Sequence, residues 1–162
     1  MIFDVLPDVG FAPTWAEAKS IVNRTPRYHI AREKPDAVKV IENIHRVGGY
    51  TILAHPLLIP DNVFTNGISL SREQFIDKLL AVGLDGIEIR YPYHQTSYTG
   101  TLTDQQAEEY VTQKYAERVR MISAGSDYHA EHKTNTTNPR LLGQCGLTWD
   151  EFSVNPYWQK LL

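Results

Sequence analysis

The sequence predicts an α/β protein built from parallel βα units. Three observations carry this: short apolar runs that stop at polar residues, amphipathic helical stretches between them, and starts recurring about every 35 residues. Strands alternating with helices at that spacing require crossover connections, which give a parallel sheet rather than a sandwich or bundle.

The first helix signal is Thr14-Trp15-Ala16-Glu17, which has capping-box spacing and predicts a helix over about 14–22. A second helix is predicted from Pro35, a residue suited to a first helical turn. There Val38, Ile41, Ile44, His45 and Val47 recur at helical spacing until Gly48-Gly49 stops them.

Tyr50 to Ala54 is an apolar run too short for a helix, so it reads as a buried strand ending at His55-Pro56. The same grammar then repeats. Ser71 to Gln74 caps a helix to about Val82, Gly83 ends it, and Asp85 to Arg90 forms a second strand. Thr103 to Gln106 opens a third helix to about Arg118, followed by a third strand, Arg120 to Ala124, ending at Gly125.

A length of 162 residues fits one domain, taken as 1–162. The net charge of -3 and pI near 6.0 argue against a surface for duplex nucleic acid, which demands phosphate neutralisation. No run approaches the roughly 18 apolar residues of a membrane span. The N-terminal residues lack the basic and apolar regions of a secretory leader. The lone cysteine, Cys145, has no intrachain disulfide partner and reads as a packed or surface thiol, so a cytoplasmic location is expected.

In parallel α/β folds the chemistry collects at the carboxyl ends of the strands. Those ends are polar here: His55 after the first strand; Arg90, Tyr91, Tyr93 and His94 after the second; Ser126, Asp127 and His129 after the third. Asp127 and His129 stand two apart, so in extended backbone both side chains point the same way. A carboxylate with an imidazole suits manganese, zinc or iron rather than calcium.

Glu88 alternates with Ile87 and Ile89, and both a substrate-side and a structural role are open to it. Arg90 and its aromatic neighbours offer a guanidinium for phosphate and ring surfaces for a base; ordinary loop packing is the other reading. His45 lies inside a helical pattern and reads as a partly buried, hydrogen-bonded histidine. His29 and His132 belong to no ligand pattern.

The strings GGYTILAHP, GLDGIEIRYP and ISAGSDYH, in that order, resemble the Ala-His-Pro, Gly-Ile-Glu and Gly-Ser-Asp-x-His motifs of the PHP (polymerase and histidinol phosphatase) superfamily. The resemblance runs over about 33–143 and is to the C-terminal part of such proteins. It implies part of a distorted, TIM-like barrel with divalent transition metals at the strand ends. It also implies hydrolysis of phosphate esters by a metal-activated water, with His55, Asp127 and His129 as metal ligands.

Glu88 and Arg90 are the expected catalytic residues, and a small phosphorylated molecule or nucleotide is the expected substrate. The family's N-terminal His-x-His has no counterpart before His55, which leaves three readings open: one domain of a longer protein, a truncated product, or a half that docks with another polypeptide supplying the missing strands. The alternative is a non-catalytic accessory domain with an incomplete metal site. A different metallohydrolase barrel is disfavoured, because neither its bridging lysine nor its His-x-His is found.

Overall fold

The computed structural model describes residues 2–28, 34–129 and 140–160; His29 and His132 lie outside them. Contacts gather the chain into two compact units, Met1–Pro35 and Asp36–Leu162.

The first unit pairs α1 (Ile2–Asp8) with α2 (Trp15–Arg24). Thr14 caps α2 as its spacing predicts, its Oγ1 accepting the Glu17 N–H at 3.2 Å. Phe3 meets Trp15 edge-on at 5.7 Å, and Ala12 and Ala18 are buried.

The second unit opens with α3 (Ala37–Arg46). The helix starts after Pro35 rather than on it, because Asp36 Oδ1 accepts the Val38 and Lys39 N–H groups and satisfies two otherwise unpaired amides. After α3 the chain forms β1 (Ile52–Leu53), a hairpin of β2 (Asn62–Thr65) and β3 (Ile68–Ser71), then α4 (Arg72–Ala81) and β4 (Gly86–Arg90). The unit continues with α5 (Asp104–Tyr115), β5 (Met121–Ala124), α6 (Trp149–Ser153) and α7 (Pro156–Gln159).

Ser71 and Thr103 form complete capping boxes with Gln74 and Gln106, as their spacing predicts. The hairpin does not figure in the sequence expectation. Its turn is Asn66-Gly67, both at positive φ (49° and 79°), which suits the twist of a two-residue connection.

β4 lies between β1 and β5, parallel to both. Its first residue, Gly86, stands level with Ile52 and Met121, and a Cβ there would meet the Met121 carbonyl at 2.9 Å and Ile52 Cγ1 at 3.1 Å. The sheet is open: the three described parallel strands form part of an α/β layer and do not close a barrel.

Ile87 and Ile89 of β4 pack with Ile76 of α4 and Ala107, Val111 and Tyr115 of α5 in the main core. Carbonyls of β5 and of the residue just before it are met by side chains of α7 and the residue that caps it: Trp158 Nε1 donates to Ile122 O and Asn155 Nδ2 to Arg120 O, each at 3.0 Å. Part of that sheet edge is thereby covered.

At the amino ends of the strands Asp85 is buried and ties three segments together. Its Oδ2 accepts the Thr51 N–H (2.8 Å) and hydroxyl (3.0 Å) and meets His45 Nε2 at 2.6 Å, while Oδ1 faces Arg120 Nη1 at 3.3 Å. His45 is thus the hydrogen-bonded helix histidine its sequence context predicts. No helix among the described residues is long and apolar enough to cross a membrane.

Candidate functional site

The carboxyl ends of β1, β4 and β5 bring most of the predicted residues together. His55 directly follows this end of the first strand, in left-handed backbone (φ 34°, ψ 62°), because Pro56 begins a one-turn 3-10 helix immediately after it. Asp127, past β5, is also left-handed (φ 53°). Non-glycine residues tolerate this region poorly, and such strain concentrates at functional positions. The described residues hold four non-glycine positions at positive φ, and these two are among them.

The two oxygens of Asp127 have separate tasks. Oδ1 faces His129 Nε2 at 3.1 Å, whereas Oδ2 accepts the Tyr91 hydroxyl at 3.1 Å and Arg140 Nη1 at 2.8 Å. Arg140 Nη1 also reaches the Tyr91 oxygen at 2.9 Å. Burial alone would raise the Asp127 carboxyl, but the Tyr91 hydroxyl, the His129 imidazole and the Arg140 guanidinium together hold it below its ordinary value. Asp127 is therefore an anion at neutral pH. Burial, and then the Asp127 charge, push the Tyr91 phenol up to about 12, so it stays a hydrogen-bond donor.

Glu88 points to the same end of the sheet. Its Oε2 accepts the His55 backbone N–H at 2.6 Å. Burial raises its carboxyl to about 6; the His55 bond opposes that shift and the Asp127 charge adds to it. The His55 ring packs against the Tyr91 ring, centroid to centroid 5.3 Å, so its described ring contact is with the phenol that donates to Asp127.

Arg90 is not brought into this cluster. Its Nε donates to Glu108 Oε1 (2.9 Å), its Nη2 to Glu151 Oε1 (2.8 Å) and its Nη1 to the Gly146 carbonyl (3.0 Å), pinning β4 to α5 and the start of α6. The same contact draws Glu151 down to about 2. Tyr91 and Tyr93 are buried, so neither offers an open face to a base, and His94 is paired with Asp104. Cys145 is a half-buried thiol.

One side chain escaped the sequence reading. Arg140 stands 13 residues beyond Asp127, with no local pattern to mark it. Ser126, buried at 5% exposure, donates its hydroxyl to the Leu141 carbonyl at 2.7 Å and so moors the segment that carries Arg140.

A cleft of about 370 Å³ opens at this end of the sheet, lined by Leu58, Ile59, Asp61, Arg72 and Tyr98 among others. The rings of His55, Tyr91, Tyr93 and Tyr98 follow one another at 5.3, 5.0 and 5.1 Å from the strand ends to its wall.

The donor set accommodates part of a metal shell. With bonds of about 2.1 Å, neighbouring ligand atoms sit roughly 3.0–3.4 Å apart, and Asp127 Oδ1 and His129 Nε2 have that separation. Tyr91 and Arg140 orient the carboxylate from behind, as the outer partners of a ligating carboxylate do. No group of three or more His, Cys, Asp or Glu side chains is gathered for a metal among the described residues.

A solved structure from Bifidobacterium adolescentis, described as a putative metal-dependent phosphoesterase, is similar to this chain with a TM-score of 0.61 and 25% identity. The match takes in 97% of this chain and 49% of that one, so the chain spans about half the length of the structure it resembles. No family model and no curated protein matches the chain.

Proposed function

We propose that the second unit contributes part of the active centre of a metal-dependent phosphoesterase of the PHP type, acting on a small phosphorylated molecule or nucleotide. The observation that carries this is the Asp127–His129 pair: two donors at ligand spacing, on strained backbone at a strand end, with the carboxylate's other oxygen held by Tyr91 and Arg140. Similarity to a structure described as a metal-dependent phosphoesterase supports the same reading.

Asp127 and His129 would hold a divalent manganese, zinc or iron ion, with His55 as a further ligand on rotation of its ring and the remaining ligands from a second segment or polypeptide. The chemistry such an ion supplies is polarisation of a phosphoryl oxygen and activation of water. Glu88, raised to about 6, can hold or release a proton beside the site near neutral pH. Arg90 acts here as a structural clamp rather than a catalytic group. A cytoplasmic location fits the single unpaired cysteine.

The test is metal content of protein purified without chelator, alongside hydrolysis of p-nitrophenyl phosphate, in the wild type and Asp127→Ala. Bound metal and turnover that both vanish in the variant carry the proposal. A folded wild-type chain that takes up none of the three metals sinks it.

One observation favours a second reading, a non-catalytic accessory domain: Arg140 already neutralises Asp127, and no third donor is gathered among the described residues. Stoichiometric metal without hydrolysis would decide for it.

A further inference from the structure

We propose that Arg140 is a phosphoryl anchor, its Nη1 fixed on Asp127 Oδ2 and Tyr91 Oη while Nη2 and Nε are presented to the oxygens of a phosphate group. The inference rests on the phosphoesterase reading and names the side chain that would recognise its substrate.

Three arginines stand near the carboxyl ends of the parallel strands in the described residues, and their donors are used very differently. Arg90 spends Nε, Nη1 and Nη2 on Glu108, Gly146 and Glu151. Arg72 spends Nε on the Ile59 carbonyl at 2.7 Å and Nη2 on Asp61 at 2.5 Å. Arg140 engages the described residues through Nη1 alone, at 2.8 and 2.9 Å. Its remaining donors form one side of the planar fork that matches two phosphate oxygens.

Its position is built rather than incidental. The buried Ser126 hydroxyl holds the carbonyl of the next residue, Leu141, whose own N–H donates to Gln144 Oε1 at 3.1 Å. Asp127 and Tyr91 then fix one guanidinium nitrogen, so the side chain, only 19% exposed, has already lost most of its rotamer freedom. A guanidinium ordered in advance loses less entropy when an anion arrives. The anchor also stands on the same carboxylate whose other oxygen faces His129, so a phosphate held by Arg140 lies within reach of the proposed metal ligands.

The experiment measures binding of inorganic phosphate by titration calorimetry to the full chain, both as purified and after a chelator has removed metal, with metal content recorded on the same samples. Arg140→Gln should weaken phosphate binding at least about tenfold, the size expected for losing charged hydrogen bonds, and should do so in the metal-free samples too, where the bond it shares with Asp127 cannot act through a metal. Arg140→Lys should weaken it as well, since one ammonium cannot pair with Asp127 and offer a fork; this variant keeps the charge beside Asp127 and decides the matter if the glutamine variant fails to fold. Unchanged phosphate affinity in either folded variant, no phosphate binding by the wild type, or a loss of phosphate binding confined to the metal-loaded samples each overturns the anchor. The phosphoesterase reading fails separately: phosphate binding that depends on Arg140 in a protein without metal or turnover leaves the anchor standing and removes the enzyme.

Discussion

Glu88 Oε2 accepts the backbone N–H of His55 at 2.6 Å, a bond across 33 residues that locks the end of β1 to the middle of β4. It fastens the one left-handed residue between β1 and Pro56. A side chain from the central strand therefore holds the backbone of a proposed metal ligand.

Burial raises the Glu88 carboxyl from 4.5 to about 6, so the folded state binds its proton more tightly than the unfolded one. Stability from this group is present below about pH 4.5 and is lost as pH rises through 6. Glu88→Gln, whose amide oxygen can still accept the His55 N–H, should stabilise the protein by about 1 kcal/mol at pH 8, the shift being discounted for solvent screening of a partly exposed group. The gain should disappear at pH 4, as read by urea denaturation at both pH values; a gain of equal size at pH 4 would show that ionisation is not its source.

Tyr91→Phe removes one of the two donors on Asp127 Oδ2 and leaves Arg140 as the other. The carboxylate becomes less firmly oriented, and affinity for manganese or zinc should fall by about tenfold, the lower end for outer partners of a metal ligand. Calorimetric titration with each metal checks this, and unaltered affinity would remove Tyr91 from the site.

Asp85→Ala takes away a buried acceptor and strands the Thr51 N–H and hydroxyl together with His45. The expected loss is about 3 kcal/mol. The Asp85 carboxyl lies below its ordinary value: burial pushes it up, but the Thr51 amide, His45 and the Thr51 hydroxyl outweigh that. Its contribution is therefore present above the unfolded value of 3.8 and declines as pH falls below it. Chemical denaturation should show the variant's deficit at pH 7 shrinking towards pH 3.

Gly86→Ala places a methyl group 2.9 Å from the Met121 carbonyl, where the neighbour is backbone and cannot swing aside. Overpacking of this kind costs about 1–3 kcal/mol, and the strain falls where all three parallel strands stand level. A lowered thermal midpoint is expected, together with faster amide exchange in β4 and β5.

What could be read from the sequence was what local physics controls. Ser71 and Thr103 announce their helices because a hydroxyl and a glutamine three residues on can satisfy the free amides without any distant partner. The apolar runs at β4 and β5 read as strands because they are too short for helices. Asn66-Gly67 carried an equally local hairpin signal that the apolar pattern around it obscured, since β2 and β3 are largely exposed.

The candidate site divides along the same line. His55, Asp127 and His129 were visible because each stands just past a strand, and the place where a strand ends is a local matter. Arg90 closes its own strand, an equally local mark, yet the acidic residues that claim it, Glu108 and Glu151, lie 18 and 61 residues away. Arg140 has no local mark, and only the Ser126–Leu141 bond and the return of the chain past β5 put it on Asp127.

The sequence by itself determined the order of helices and parallel strands and the strand ends where chemistry collects, because propensity, capping and strand length act over a few residues. The tertiary structure alone decided which charge meets which: Glu88 with the His55 amide, Arg90 with Glu108 and Glu151, Arg140 with Asp127. Charges pair through space, and long side chains are placed by whatever the fold brings within about 3 Å of them.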